Sequence, residues 1–186
     1  LAIFVFFFAV AEPFRSVAAF STVLYDSSTI GIMAVGVALL MIGGEFDLSA
    51  GVAVITAALT AALFSYELSL NLWVGTFIAL VLALMIGYWN GWLTMRTGIP
   101  SFLITLSTFF MLQGLNLGVT KLLTGTVATT NISNMDGFGA LEWIFASSFT
   151  IGDLTVRITV VWWLLFTAIA TWLLLRTRVG NWIFAV

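Results

Sequence analysis

Glu45 and Asp47 lie in Gly43-Gly44-Glu45-Phe46-Asp47-Leu48-Ser49, a polar interruption between two apolar runs, where a carboxylate could handle a cation or a hydrogen-bonding solute. An ionised Asp at the centre of a bilayer costs about 2.5 to 3.5 kcal/mol on insertion scales, so acids at that depth serve some purpose. Two purposes fit. Asp47 or Ser49 caps a helix opening at Ala50 by accepting from its free N–H groups, or Glu45, Asp47 and Ser49 line a polar route for a solute. Within the later apolar runs the polar side chains are Asn90, Thr105, Ser107, Thr108, Gln113 and Asn116. Each taken singly is accounted for by a bond to a neighbouring helix or, for Ser and Thr, to its own helix backbone. Gln113 and Asn116 say more jointly, because a spacing of three puts two amides on one helix face, which must then point into protein or a cavity. Glu45, Asp47, Ser49, Asn90, Thr105, Gln113 and Asn116 are therefore the candidate residues of a substrate pathway.

Covalent chemistry finds no such support. The chain has no His and no Cys, so it has no imidazole base, no thiol nucleophile, no disulfide and no Zn or Fe–S ligand set. It also lacks the GxxxxGK[ST] phosphate loop, HExxH, GxSxG and the dinucleotide fingerprint, so any nucleotide energy comes from another chain. No catalytic residue, metal or cofactor is expected. Six Lys and Arg against a net charge of −2 leave no basic field for a nucleic-acid backbone.

The elements that position these residues must be membrane helices. Of 186 residues 62% are apolar and 8% charged, with a mean hydropathy of +1.18, so the solvent over most of the surface is lipid. Apolar runs lie at about 1 to 11, 28 to 44, 50 to 66, 71 to 95, 101 to 119 and 158 to 175. They are continuously apolar over about 20 residues rather than alternating, which predicts helices and not barrel strands. The fold class is all-α, a polytopic transmembrane helix bundle forming one domain over 1–186. The two short runs around 43–49 predict a broken, Gly-rich re-entrant segment, whose irregular backbone must face protein or a wet cavity.

The first run is too short to span and opens on Leu, which suggests a truncated first membrane helix; Ala9-Val10-Ala11 before Glu12 also has the form of a signal-peptidase site. Arg96-Thr97-Gly98-Ile99-Pro100 predicts a tight helical hairpin with Pro100 in the first turn of the next helix. Gly87-x-x-x-Gly91 and Gly114-x-x-x-Gly118 carry the small-residue spacing of helix packing faces, with a dimer seam as the other option. The stretch 120–157 is polar and long for a simple connection, a candidate docking loop with Lys121, Asp136, Glu142, Asp153 and Arg157. The end, 176–186, reads as a short basic tail. Arg96, Arg176 and Arg178 vote for a cytoplasmic 96–100 turn and C-terminal end, but Arg15, Lys121 and Arg157 make the count three against three. Trp73, Trp89, Trp92, Trp162 and Trp182 fall near run ends, as interfacial anchors do on either side.

Three stretches in order resemble the permease subunits of bacterial ABC importers for ribose and related simple sugars. They are Gly31-Ile32-Met33-Ala34-Val35-Gly36 followed by Gly44-Glu45-Phe46-Asp47-Leu48-Ser49-Ala50-Gly51, then Gly98-Ile99-Pro100-Ser101-Phe102-Leu103-Ile104-Thr105-Leu106, then Thr177-Arg178-Val179-Gly180-Asn181-Trp182-Ile183-Phe184-Ala185. The resemblance implies the N-terminal portion of an inner-membrane, multi-pass permease that does no covalent chemistry. It further implies a second permease copy, as homodimer or heterodimer, two cytoplasmic ATP-binding subunits and a periplasmic sugar-binding protein, with the 96–100 turn on the cytoplasmic side. The departure is that the chain stops just before the loop that in this family touches the ATPase. Other readings remain: an ion-coupled secondary transporter that uses Glu45 and Asp47 for the coupling ion, or a related permease for branched-chain amino acids or nucleosides.

Overall fold

Every apolar run of spanning length is helical in the computed structural model, which describes residues 2–185. The helices are α1 (Ala2–Val10), α2 (Val17–Ile42), α3 (Ala50–Glu67), α4 (Leu72–Thr97), α5 (Ser101–Thr124), α6 (Phe138–Phe145), α7 (Ile158–Arg176) and α8 (Arg178–Phe184). A 3-10 turn at Glu12–Arg15 joins α1 to α2, and a hairpin of β1 (Ser148–Ile151) and β2 (Leu154–Arg157) precedes α7. Five helices, α2, α3, α4, α5 and α7, are long and apolar enough to cross a membrane. The all-α polytopic class therefore stands.

Three expectations are corrected. The run predicted at 28–44 is the second half of a 26-residue helix that begins at Val17. Ser28 returns its hydroxyl to the Tyr25 carbonyl at 2.7 Å, so the helix absorbs a polar residue without a break. The stretch 120–157 is not an irregular loop: α5 runs on to Thr124, and α6 and the hairpin occupy 138–157. The tail at 176–186 contains α8.

The chain divides into two compact units. One comprises the segment up to Gly36 together with Glu142–Trp182. Here Gly31 of α2 lies flat against the indole of Trp163 in α7, where a Cβ would overlap the ring. The buried Ser28 hydroxyl reaches Thr159 Oγ1 at 3.2 Å. Trp162 is stacked between Phe145 and Phe166 and donates its indole N–H to the Ile144 carbonyl at 2.9 Å, which ties α6 to α7. The hairpin pairs Ser148 with Arg157 through Ile151 with Leu154 across a two-residue Gly152-Asp153 turn, with Gly152 at φ +63. The Arg157 guanidinium sits 4.6 Å from the centre of the Tyr25 ring.

The second unit, Val37–Leu141 with the residues from Ile183, holds α3, α4 and α5. Its core is Val52, Ala62, Leu63, Leu72, Ala79, Ile104 and Leu112. Helices α3 and α4 approach closely where Gly75 meets the Ala61 carbonyl and the Ser65 hydroxyl, contacts a Cβ could not share. Asn71 caps α4 by accepting from the Trp73 amide at 2.9 Å, and the Leu72 amide donates to the Asp136 carbonyl at 2.9 Å. The α3–α4 turn and the chain at 136 therefore share one end of this unit. At the other end, Gly98 at φ +68 closes α4, and Pro100 takes the N-cap position of α5, one residue before the helix proper. At Gly87, Gly91, Gly114 and Gly118 a Cβ would meet nothing within 4 Å, so none of the described residues of this unit packs closely on them.

Candidate functional site

The polar interruption is a turn with a defined geometry. Gly44 at φ +79 ends α2: the Gly44 amide donates to the Met41 carbonyl and the Glu45 amide to the Leu40 carbonyl, both at 3.1 Å. This pair of bonds is the Schellman closure, which needs a residue free to turn left-handed, and Gly44 supplies it. The next five residues run without regular structure to α3, whose first intrahelical acceptor is the Ser49 carbonyl, bonded by the Ala53 amide at 2.8 Å.

The side chains of α4 and α5 take up what the turn leaves open. The Phe46 amide donates to Ser101 Oγ at 2.9 Å and the Leu48 amide to Thr105 Oγ1 at 3.1 Å. Thr105 also returns its own proton to the Ser101 carbonyl at 2.9 Å, so one hydroxyl serves as donor and acceptor. Asp47 Oδ1 accepts from both the amide and the hydroxyl of Ser49, at 2.7 and 2.6 Å. Ser49 occupies the N-cap position, but neither its hydroxyl nor Asp47 accepts from the first-turn amides of α3, so the expected side-chain cap is not formed and Asp47 instead holds Ser49 itself.

The direction of the next bonds follows from that one. Because the Ser49 proton is given to Asp47, Ser49 Oγ can only accept, and Asn90 must present Nδ2 to it, at 3.1 Å. Asn90 Oδ1 then accepts from Thr108 Oγ1 at 2.7 Å. Protons point one way along Thr108, Asn90 and Ser49 to a carboxylate. Ser49, Asn90 and Thr105 are buried, and chains of this kind strengthen bond by bond in a low dielectric. The sequence singled out Asp47, Ser49, Asn90 and Thr105, and the structure brings these four together. It adds Ser101 and Thr108.

Glu45, Gln113 and Asn116 stand outside this chain of bonds. Glu45 is half-buried and bonds to the turn through its backbone. Gln113 and Asn116 lie on the wall of an open groove of about 540 Å³ between α3 and α5, with Val52, Ile55, Phe109 and Thr120. The candidate residues thus divide into a clasp, which holds the turn onto α4 and α5, and a groove. No group of three or more His, Cys, Asp or Glu that could hold a metal occurs among the described residues.

The matching family model covers both. The family described as "Branched-chain amino acid transport system / permease component" matches residues 19–186. The chain is 30% identical over 142 residues to the xylose transport system permease protein XylH of Escherichia coli K12, covering 76% of this chain and 35% of that protein. It is 28% identical over 123 residues to the protein of the same name from Haemophilus influenzae, covering 65% of this chain and 33% of that one. The chain thus spans about a third of the length of these relatives. No solved structure matches.

Proposed function

The chain belongs to the permease-component family of branched-chain amino acid transport systems, and from that membership we propose that it is the N-terminal portion of the membrane subunit of an ATP-driven sugar importer. In this reading the permease passes a pentose or hexose from a periplasmic binding protein to the cytoplasm, and separate ATP-binding subunits hydrolyse ATP. The support for a sugar, rather than the amino acid of the family's title, is the likeness to the xylose permeases. The support for transport without covalent chemistry is the site itself: hydroxyls, amides and one hydrogen-bonded carboxylate in a helical membrane chain.

In this reading the 96–100 turn and the Asp47 clasp lie at the cytoplasmic end of this unit, an orientation supported by the family resemblance and by Arg96 in the last turn of α4. The α3–α4 turn and the chain around Asp136 are then extracytoplasmic, where a binding protein docks. The clasp stiffens the cytoplasmic ends of α3, α4 and α5 into one body, so that movement imposed by ATPase subunits is passed on as a unit rather than dissipated in a loose loop.

Co-purification of the full-length protein tests the assembly. The expected result is an ATPase subunit retained in detergent and a soluble sugar-binding protein retained in lipid discs. Isolation of the permease with neither, under conditions where it binds its cargo, would contradict the proposal.

A further inference from the structure

The groove between α3 and α5 presents a chemistry that lipid does not require. Gln113 sits midway along a 24-residue helix of about 36 Å, and an uncovered amide at that depth is expensive in hydrocarbon. Asn116 follows one turn further along the same wall, and Phe109 one turn before. Thr120 closes the series. Eleven threonines among the described residues, Thr56 and Thr60 of α3 and Thr124 of α5 among them, bond back to the carbonyl four residues earlier. Thr120 does not: its Oγ1 is buried in the groove wall with no hydrogen-bond partner, and the residue is 2% exposed.

An unpartnered hydroxyl in a buried wall costs about 1 to 3 kcal/mol. At those eleven threonines, turning the hydroxyl outward would break a bond. At Thr120 a rotation about χ1 breaks none, so the group is free to meet a solute that brings its own hydroxyls. Two amides, a hydroxyl and an aromatic ring, strung along about 16 Å of helix, are complementary to a polyhydroxylated ring, whose hydroxyls want donors and acceptors and whose C–H face wants an aromatic. A volume of about 540 Å³ lies within the usual range for small-molecule clefts.

We infer that this groove is a sugar-contact site on the import path, with Gln113, Asn116 and Thr120 bonding the hydroxyls of the solute in transit and Phe109 lying against its ring. The inference rests on the transport reading above and assigns it to one face of α5. The binding protein sets capture, so the groove acts on the rate of passage and not on the concentration at which uptake saturates.

The test uses the full-length permease with its ATPase and binding protein in proteoliposomes, and xylose as the probe. Thr120→Val keeps the shape and removes the hydroxyl; it is expected to lower the maximal uptake rate about fivefold, the equivalent of one ordinary hydrogen bond, with KM unchanged. Thr120→Ser is expected to restore the rate. A cysteine at Asn116 is expected to react with a membrane-impermeant maleimide, and to react more slowly during xylose turnover. Near-parental rates for Thr120→Val, a cysteine that does not react because protein or lipid covers the groove, or labelling indifferent to xylose would each overturn the site while the transport reading stands. Absence of xylose import by the parent protein would overturn both.

Discussion

Asn90 joins two helices and the turn through two bonds of fixed direction, donating to Ser49 and accepting from Thr108. Asn90→Ala removes both, leaves a buried hydroxyl without its partner and opens a small void, and is expected to destabilise the protein by about 1 to 3 kcal/mol in equilibrium SDS unfolding. An unchanged transition would mean that the clasp is not formed in the membrane. Asp47 separates geometry from charge. Asp47→Asn keeps the oxygen that accepts from Ser49 and is expected to retain most uptake, whereas Asp47→Ala loses both bonds and about 1 to 2 kcal/mol. A coupling-ion role for Asp47 predicts no such difference, with uptake abolished by Asp47→Asn as well as by Asp47→Ala. At this scale the turn and the N-cap position of Ser49 were legible, because Gly, acid and Ser cluster between apolar runs, whereas the expected side-chain cap did not form because Asp47 is taken up by Ser49 itself. Ser101 and Thr108 were not assigned, since a bond spanning 55 residues, as from Phe46 to Ser101, depends on which helices become neighbours.

Helix pairing depends on small residues, and among the described residues the close approaches fall outside the two Gly-x-x-x-Gly pairs. The two Gly-x-x-x-Gly pairs stay open, while Gly31 and Gly75, which carry no such motif, make the close approaches. The reason is that glycine spacing marks a face able to pack without saying what arrives there. At Gly75 the arriving face is itself small, Ala61 and Ser65, and that reciprocity was present in the sequence. Gly75→Val is expected to force α3 and α4 apart at a cost of about 3 kcal/mol, seen as loss of the folded fraction in SDS titration. Gly87→Ala meets nothing within 4 Å and is expected to leave this chain's own packing intact. The hairpin at 148–157 also had a readable signal: Gly152-Asp153 between Ser-Phe-Thr-Ile and Leu-Thr-Val-Arg, a two-residue turn between alternating residues. Its polarity made it look like loop, because in a chain this apolar any polar stretch reads as a connection.

For the molecule as a whole, spanning helices were the most legible feature, since continuous apolarity over 20 residues admits few other structures. Sidedness was the least legible, with three basic residues on each side, and it is open to a direct check. Single cysteines at Asn131 and Asp153 are expected to react with an impermeant maleimide added to spheroplasts, and one at Thr97 only after the membrane is opened; the reverse pattern would invert the topology. The account as a whole turns on what drives the solute across. The most direct measurement is xylose accumulation in proteoliposomes holding the full-length permease, its ATP-binding subunits and its binding protein, with ATP supplied or withheld and a protonophore added. The account predicts accumulation that requires ATP and the binding protein and persists with the protonophore. Accumulation that proceeds without ATP and collapses with the protonophore would contradict it.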